Sequence, residues 1–470
     1  MEIEGTRLYP AYNPAFGEVI AHAPETPREE IETTVLLAND AQERWSRTPV
    51  TERVAHLFSL ERLMRENADI LARSIVTEHG KTLEEARGEV ARSCENVQAA
   101  CSAVYHMMGK NSQDISRGID EELYRVPAGV FVAITPFNFP LMVPFWFLPY
   151  ALAAGNSIII KPSEKTPVTM TLVSELFAKA GIPEGAVSVL HGGAPVATAL
   201  LEHPMVTGVS FVGSTVAAKR VYAMACESHK RVQAGASAKN FEVVMPDADI
   251  GGIMHSLLSS FFGNAGERCL AGSVLVTFAE NHDRVVSAFT EGASKLRVGY
   301  GLDPQSDVGA LIRREHLERV EGYVETGEIE GARLTLDGRK KKPTEYPRGF
   351  FLGPCVFDRV TRDMKIMQEE IFGPVACVTT VDSLDDAIEL INSSRYGNAA
   401  TIFTQSGSVA RKFVNGVSAG NIGVNVGVAA PVAFYPFGGV RESFFGDLHP
   451  QGGEDYVHFY TDPKVVVFRW

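Results

Sequence analysis

Apolar positions over the first hundred residues recur at helical spacing, and residues typical of helix ends stand between them. Thr26-Pro27-Arg28-Glu29 supplies a capping hydroxyl, a proline at the first helical position and a glutamate three residues after the cap, so a helix is predicted to begin there. A second amphipathic stretch covers about 51–79 and stops at Gly80, and a third starts near Thr82 and passes Cys101. From Gly129 the pattern changes to short apolar runs separated by helical segments. The runs are Val130–Ile134, 157–160, 187–190, 209–212, 231–233 and 243–245, and this alternation predicts a parallel sheet. Thr166-Pro167 opens the helix between the second and third runs, and Gly181 followed by Pro183 closes it, which makes a βαβ unit. A further α/β region spans 250–428, with a helix at 384–391 and a strand at Ala399–Phe403. The final segment, 456–470, carries an apolar strand at 465–468, and such a strand at a chain end invites pairing with another subunit.

The stretch 126–160 contains no charged residue, long enough to raise the question of a membrane span. Pro127, Pro136, Pro140, Pro144 and Pro149 interrupt it, and Asn138 and Asn156 add polar groups, so a buried strand, loop and helix are expected instead. At 470 residues the chain is predicted to form two or three domains, and 45% hydrophobic with 21% charged residues is the balance of a folded globular protein. The net charge of −13 argues against nucleic acid as a partner, and the one basic run, 339–342, reads as a solvated loop between Gly338 and Pro343. Six cysteines without a C-x-x-C pair argue against both a disulfide framework and a zinc site, so no metal is expected. With no secretory pattern at Met1-Glu2-Ile3-Glu4-Gly5, the expected location is cytoplasmic.

The most informative string is Phe262-Gly263-Asn264-Ala265-Gly266-Glu267-Arg268-Cys269. Small residues let substrate approach the cysteine, and the guanidinium of Arg268 would favour the thiolate, the nucleophilic form. Taken alone, a cysteine in this company is more often a buried small hydrophobe than a nucleophile. Four further strings join it: Thr135-Pro136-Phe137-Asn138-Phe139-Pro140, Lys161-Pro162-Ser163-Glu164, Phe211-Val212-Gly213-Ser214-Thr215 and Glu369-Glu370-Ile371-Phe372-Gly373-Pro374. In order and spacing the set resembles the aldehyde dehydrogenase superfamily, across most of the chain. The resemblance implies an α/β fold with a Rossmann-type NAD-binding domain (1–112 and 130–236), an α/β catalytic domain (237–430), and a small β oligomerisation element with the C-terminal segment (113–129 and 431–470). It also implies a homo-oligomer, dimer or tetramer.

The same resemblance makes Cys269 the nucleophile and Asn138 the oxyanion donor, with the backbone N–H of Cys269 assisting. Phe137, Lys161, Glu164, Gly213, Ser214, Glu370 and Phe372 become the NAD contacts. Gly213 and Ser214 would present a helix N-terminus to the pyrophosphate, with small Ala218 where relatives often carry a second glycine. Lys161 and Glu164 would hold the adenosine ribose, where a carboxylate repels a 2′-phosphate and so favours NAD over NADP. Glu370 would bind the nicotinamide ribose, and Phe372 would flank the ring.

Members that release a free acid usually carry a water-activating glutamate in an L-E-L-G-G-K string. Aligning on Lys239 puts Gly235 at that position, so the base is absent. A thiol can take over, and the coenzyme-A-acylating methylmalonate-semialdehyde dehydrogenase branch shares both the absence and further strings. These include Glu89-Val90-Ala91-Arg92, Ser443-Phe444-Phe445-Gly446-Asp447-Leu448-His449 and Phe459-Tyr460-Thr461. In that branch the residues matching Arg92 and Arg268 bind a substrate carboxylate, as planar guanidinium forks suit. Ser237 and Phe241 depart from that branch's T-G-A-K-N-H string, close to where the second step occurs. The expectation is therefore oxidation of a carboxylated semialdehyde through a thioester, with coenzyme A as co-substrate and loss of carbon dioxide. Hydrolytic release of a free acid, and a catalytically silent scaffold, stand as the alternatives.

Overall fold

The computed structural model describes residues 2–3, 6–449 and 451–470. A sheet ordered Phe444–Phe445, Arg231–Gly235, Val206–Val212, Val130–Ile134, Ser157–Lys161, Val187–Val189 forms the first layer, parallel except for its antiparallel edge Phe444–Phe445. Strands Val130–Ile134 and Ser157–Lys161 are buried at every position, which is why they lack alternating polarity in sequence. The first core joins this sheet to helices Val50–Glu66, Ala68–His79 and Leu83–Ala100, and it also takes Tyr456 and Tyr460 of the C-terminal helix Asp455–Tyr460. A second sheet holds seven strands in the order Arg333–Leu336, Cys355–Asp358, Val375–Val381, Gly272–Phe278, Asn240–Val244, Ala399–Phe403, Asn421–Val424. It packs its own core around Phe261, Phe262 and Phe289. A third sheet, Thr461–Arg469, Ile119–Pro127, Lys110–Ser116, is antiparallel. No helix among the described residues is long and apolar enough to cross a membrane. The uncharged stretch is instead a buried strand, the short helices Met142–Phe145 and Leu148–Ala153, and a second strand.

Several expectations change. Thr26 does not cap the first helix, Arg28–Trp45, because its N–H (3.1 Å) and hydroxyl (2.7 Å) both go to the carbonyl of His191. The stretch 51–79 is two helices, Val50–Glu66 and Ala68–His79. They part at Asn67, whose side-chain amide donates to the Leu63 carbonyl at 2.8 Å and competes with the backbone ladder. The helical opening is preceded by a hairpin, Thr6–Asn13 against Glu18–Pro24, that was not legible in the pattern. The run 243–245 lies in the second sheet, not the first, because Asn240–Val244 pairs with Gly272–Phe278 and Ala399–Phe403. The C-terminal strand pairs along its whole length with Ile119–Pro127 of its own chain, leaving its other edge free of strand partners among the described residues.

Gly80 ends its helix at φ 101°, and a Cβ there would lie 2.7 Å from the Ala310 carbonyl oxygen. Gly80→Ala is expected to lower stability by about 1–3 kcal/mol, read as a reduced denaturant midpoint with the far-ultraviolet spectrum unchanged.

Candidate active site

Helix Ile250–Phe262 runs into a turn, Gly263–Gly266, in which Asn264 (φ 55°), Ala265 (φ 50°) and Gly266 (φ 73°) are all left-handed. Gly266 is required sterically as well, since a Cβ there would meet the Gly373 carbonyl oxygen at 2.2 Å. The strained turn is held from outside: Glu85 accepts from the Asn264 N–H, and the Asn264 amide donates to the Glu267 carbonyl at 2.8 Å. Cys269 follows, and its carbonyl accepts two side-chain amides, Asn240 and Asn398, each at 2.8 Å. Asn240 also donates to Ala271 O at 2.8 Å and accepts from Ala399 N at 3.0 Å, so the nucleophile loop is stitched to the ends of two adjacent strands.

Asn138 reaches this loop from the first sheet. Its Nδ2 donates to the Glu267 carbonyl at 3.0 Å, which leaves the second amide hydrogen for another acceptor. Its own carbonyl accepts from Lys81 Nζ at 2.7 Å, and Lys81 pairs with Glu89 at 2.7 Å, both side chains wholly buried. Glu89 completes the arrangement by accepting from the N–H groups of Leu141 (2.9 Å) and Met142 (3.1 Å). A buried ion pair of this kind persists only with every remaining lone pair and proton satisfied, and here the satisfied groups fix the position of Asn138.

Three cavities meet at Cys269. One, of about 270 Å³, is lined by Arg92, Arg268, Phe139, Trp146 and Phe437 and opens the cysteine to a ligand. The second, about 20 Å³, holds Gly235 and is bounded by Phe211, Val212, Gln233, Asn398 and Ser443, with no ionisable side chain other than Cys269. The third, about 10 Å³, holds Lys239, Glu370 and Phe372. Both sequence-predicted arginines thus line the cavity that reaches the cysteine. Arg92, on helix Leu83–Ala100, also pairs with Glu95, and Arg268 lies 3.8 Å from Glu85. Burial pushes the Cys269 thiol up to about 12, the carboxylate of Glu370 adds to this, and Arg268 with the N–H groups of Cys269 and Leu270 opposes it. The guanidinium therefore does not by itself produce a thiolate.

Glu370 and Phe372 line the third cavity itself. Glu370 takes the Ala238 N–H at 2.8 Å, Phe372 (φ 60°) packs edge-on to Phe137 with centroids 6.0 Å apart, and burial raises the Glu370 carboxyl. Gly213 and Ser214 join strand Val206–Val212 to helix Thr215–Glu227, and Ser214 caps that helix through Ala217 N at 3.4 Å. Ala218 is fully buried beneath them. Lys161 is buried, donates to Pro162 O (2.9 Å) and Gly192 O (2.6 Å), and does not bond Glu164, which stays partly exposed. Lys239 is buried with no hydrogen-bond partner for its Nζ among the described residues, and burial lowers its affinity for a proton. A seated carboxylate and an orphaned amine on one cavity, Glu370 and Lys239, fit the hydroxyl groups of a dinucleotide.

Sequence reasoning missed Lys81, Glu89, Asn240 and Asn398. Asn240 stood in the Lys239 string, and Lys81 directly follows a helix-ending glycine, but nothing local says that either side chain meets a backbone carbonyl far away in the chain.

The aldehyde dehydrogenase family model matches residues 2–466. The chain is 46% identical to a malonate-semialdehyde dehydrogenase of Halalkalibacterium halodurans, over 97% of this chain and 94% of the relative. Its structure superposes with a TM-score of 0.97 on a methylmalonate-semialdehyde dehydrogenase from Oceanimonas doudoroffii, at 41% identity and covering 100% of this chain and 96% of the other. An aldehyde dehydrogenase from Bacillus cereus in complex with NAD gives a TM-score of 0.93 at 31% identity, covering 98% and 93% of the two chains.

Lys81→Met leaves Glu89 buried without its cation and is expected to remove about 3–5 kcal/mol of stability, measured by denaturant unfolding. Adding Glu89→Gln should recover most of that loss, and a double variant no more stable than the single one would contradict the pairing.

Proposed function

Because the chain belongs to the aldehyde dehydrogenase family, we propose that it oxidises malonate or methylmalonate semialdehyde with NAD, through a thioester on Cys269 that coenzyme A then takes up. The observation that carries this reading is the pair of cavities flanking Cys269: one presents two arginines, and the other, at Gly235, presents no base.

The Arg92 and Arg268 guanidinium groups hold the substrate carboxylate and turn its aldehyde carbon toward Cys269. The thiolate adds to that carbon. The carbonyl oxygen takes the electron pair and is held by the free hydrogen of the Asn138 amide and the Cys269 N–H. NAD, when bound, contributes a cationic ring that favours the thiolate and accepts the hydride, leaving the acyl group on sulfur. Glu370, Phe372 and Phe137 orient the nicotinamide end, Gly213 and Ser214 the pyrophosphate, and Lys161 and Glu164 the adenosine ribose. The carboxylate of Glu164 disfavours a 2′-phosphate, hence NAD over NADP. No carboxylate stands at Gly235 to activate water, so the thioester persists until a thiolate attacks its carbonyl and Cys269 leaves as thiolate. The carboxylate departs as carbon dioxide, the electron pair of the broken C–C bond passes into a thioester enolate, and that enolate takes a proton from solvent, giving acetyl- or propionyl-coenzyme A.

We also propose a homo-oligomer, dimer or tetramer, built on the strand Thr461–Arg469. Its Val465, Val467 and Trp470 are 60%, 58% and 82% exposed at an edge that a second copy would cover. Six free cysteines support a reducing compartment, and the cytoplasm is the proposed location.

Cys269→Ala should bind NAD with parent affinity and form no NADH; turnover by this variant would refute the nucleophile. Steady-state NADH formation from malonate semialdehyde should need coenzyme A, and equal rates without it, with free acid as product, would establish the hydrolytic reaction instead. Arg92→Gln and Arg268→Gln should each lower kcat/KM for the carboxylated semialdehyde roughly 10- to 100-fold while sparing propanal. A Cβ at Gly235 meets nothing closer than Val212 Cγ2 at 3.4 Å, so a side chain can leave the backbone there, and Gly235→Glu is the informative variant. It should raise coenzyme-A-independent release of free acid, measured by product analysis.

A further inference from the structure

Glu267 does two separable things. Its carbonyl takes the Asn138 and Asn264 amides, while its side chain turns away from Cys269 into a pocket with no solvent exposure. There Oε1 accepts from Ile312 N at 3.3 Å and lies 3.3 Å from His316 Nε2, and Oε2 has no hydrogen-bond partner and lies 3.7 Å from His79 Nε2. His316 Nε2 is 2.7 Å from the Phe372 carbonyl and donates its proton there. The Phe137 ring lies among these groups, stacked on His79 and edge-on to His316 and Phe372 at centroid distances of 6.0–6.2 Å. One carboxyl group thus sits where the nucleophile turn, the Asn138 loop and the Phe372 loop converge.

We propose that Glu267 is a positioning residue, held as a neutral acid between His79 and His316, that sets Cys269 relative to both the Asn138 amide and the Phe372 loop. This rests on the reading of Cys269 as nucleophile. An ionised carboxylate in this pocket would have one long backbone bond and no cation in contact, which is unfavourable. Oε2 and the His79 ring face each other at 3.7 Å with no hydrogen-bond partner among the described residues, a contact that a neutral acid beside a neutral imidazole tolerates better than an ionised carboxylate does. The charged and titratable groups around it are His79 and Lys81 from the end of helix Ala68–His79, Lys165 after strand Ser157–Lys161, Arg313 beside Ile312, and His316 on helix Arg314–Ile329. Lys81 is committed to Glu89, and Lys165 lies over the Phe137 ring at 4.6 Å. Burial pushes the Glu267 carboxyl up to about 8, partly offset by Ile312 N, Lys165 and Lys81, and burial holds both histidines neutral. An acid value raised this way keeps the proton below about pH 8 and loses it above, so the arrangement is intact at neutral pH and lost as pH rises.

The test compares the parent with Glu267→Gln, which mimics the neutral acid, and Glu267→Leu, which cannot bond Ile312 N. Two readouts serve: kcat for malonate semialdehyde, NAD and coenzyme A, and the rate of Cys269 alkylation by iodoacetamide, followed by mass spectrometry from pH 6.5 to 9.5. The glutamine variant should match the parent within about threefold at pH 7 and exceed it at least threefold at pH 9 in alkylation, because it has no proton to lose there. The leucine variant should lose at least tenfold in kcat with KM for NAD unchanged. A glutamine-to-parent ratio that stays constant across the pH range overturns the proposal, as does a leucine variant with parent kcat. If the leucine variant does not fold, the glutamine profile decides. A parent that alkylates at Cys269 but makes no NADH would refute the nucleophile reading, and the alkylation profile would still decide the role of Glu267.

Discussion

The chemistry depends on how two consecutive regions of backbone are satisfied: the carbonyl of Glu267 takes amides from Asn138 and Asn264, and the carbonyl of Cys269 takes amides from Asn240 and Asn398. Asn240 and Asn398 come from adjacent strands of the second sheet, and Asn138 comes from a loop after a central strand of the first. Side-chain amides are rigid, neutral and short, so each bond transmits the position of its sheet to the cysteine with little slack. Without them the left-handed turn at Asn264–Gly266 would have cheaper conformations, and the sulfur would have no fixed direction.

Electrostatics in the resting site run against the nucleophile. Burial and Glu370 both favour the thiol of Cys269, Lys239 is buried with no hydrogen-bond partner among the described residues, and Glu267 is held as an acid. Groups of this kind tolerate low dielectric only in their neutral forms. On the proposed reading a cationic nicotinamide would change the balance, because it would offset Glu370 and favour sulfur as the anion. The thiolate is then expensive until the cofactor is present, which couples nucleophile formation to the availability of a hydride acceptor.

The division of space around the cysteine separates the two half-reactions. The wide side presents two arginines, suited to the carboxylated aldehyde proposed as substrate, and the small void at Gly235 presents no carboxylate to activate a water. On the proposed reading the acyl group waits for a thiol, which needs no base at Gly235. Specificity and acyl transfer are consequences of which side chains are present on one face and absent on the other.

The chain pattern by itself determined the alternation of strands and helices, because local periodicity carries it, and the strings that hold Cys269, Gly235, Arg92 and Arg268 were legible through their resemblance to a family, because their spacing is fixed along the backbone. It did not determine that the run near Val243 crosses into the second sheet, since a buried strand looks the same whichever sheet receives it. Nor did it reveal the N-terminal hairpin, the break at Asn67 or the true use of the Thr26 hydroxyl, each decided by a competing hydrogen bond. Lys81 and Glu89, and Glu267 between two histidines, were invisible for a stronger reason. A buried charge is defined by what surrounds it, and the partners of these groups come from segments that meet only when the chain folds.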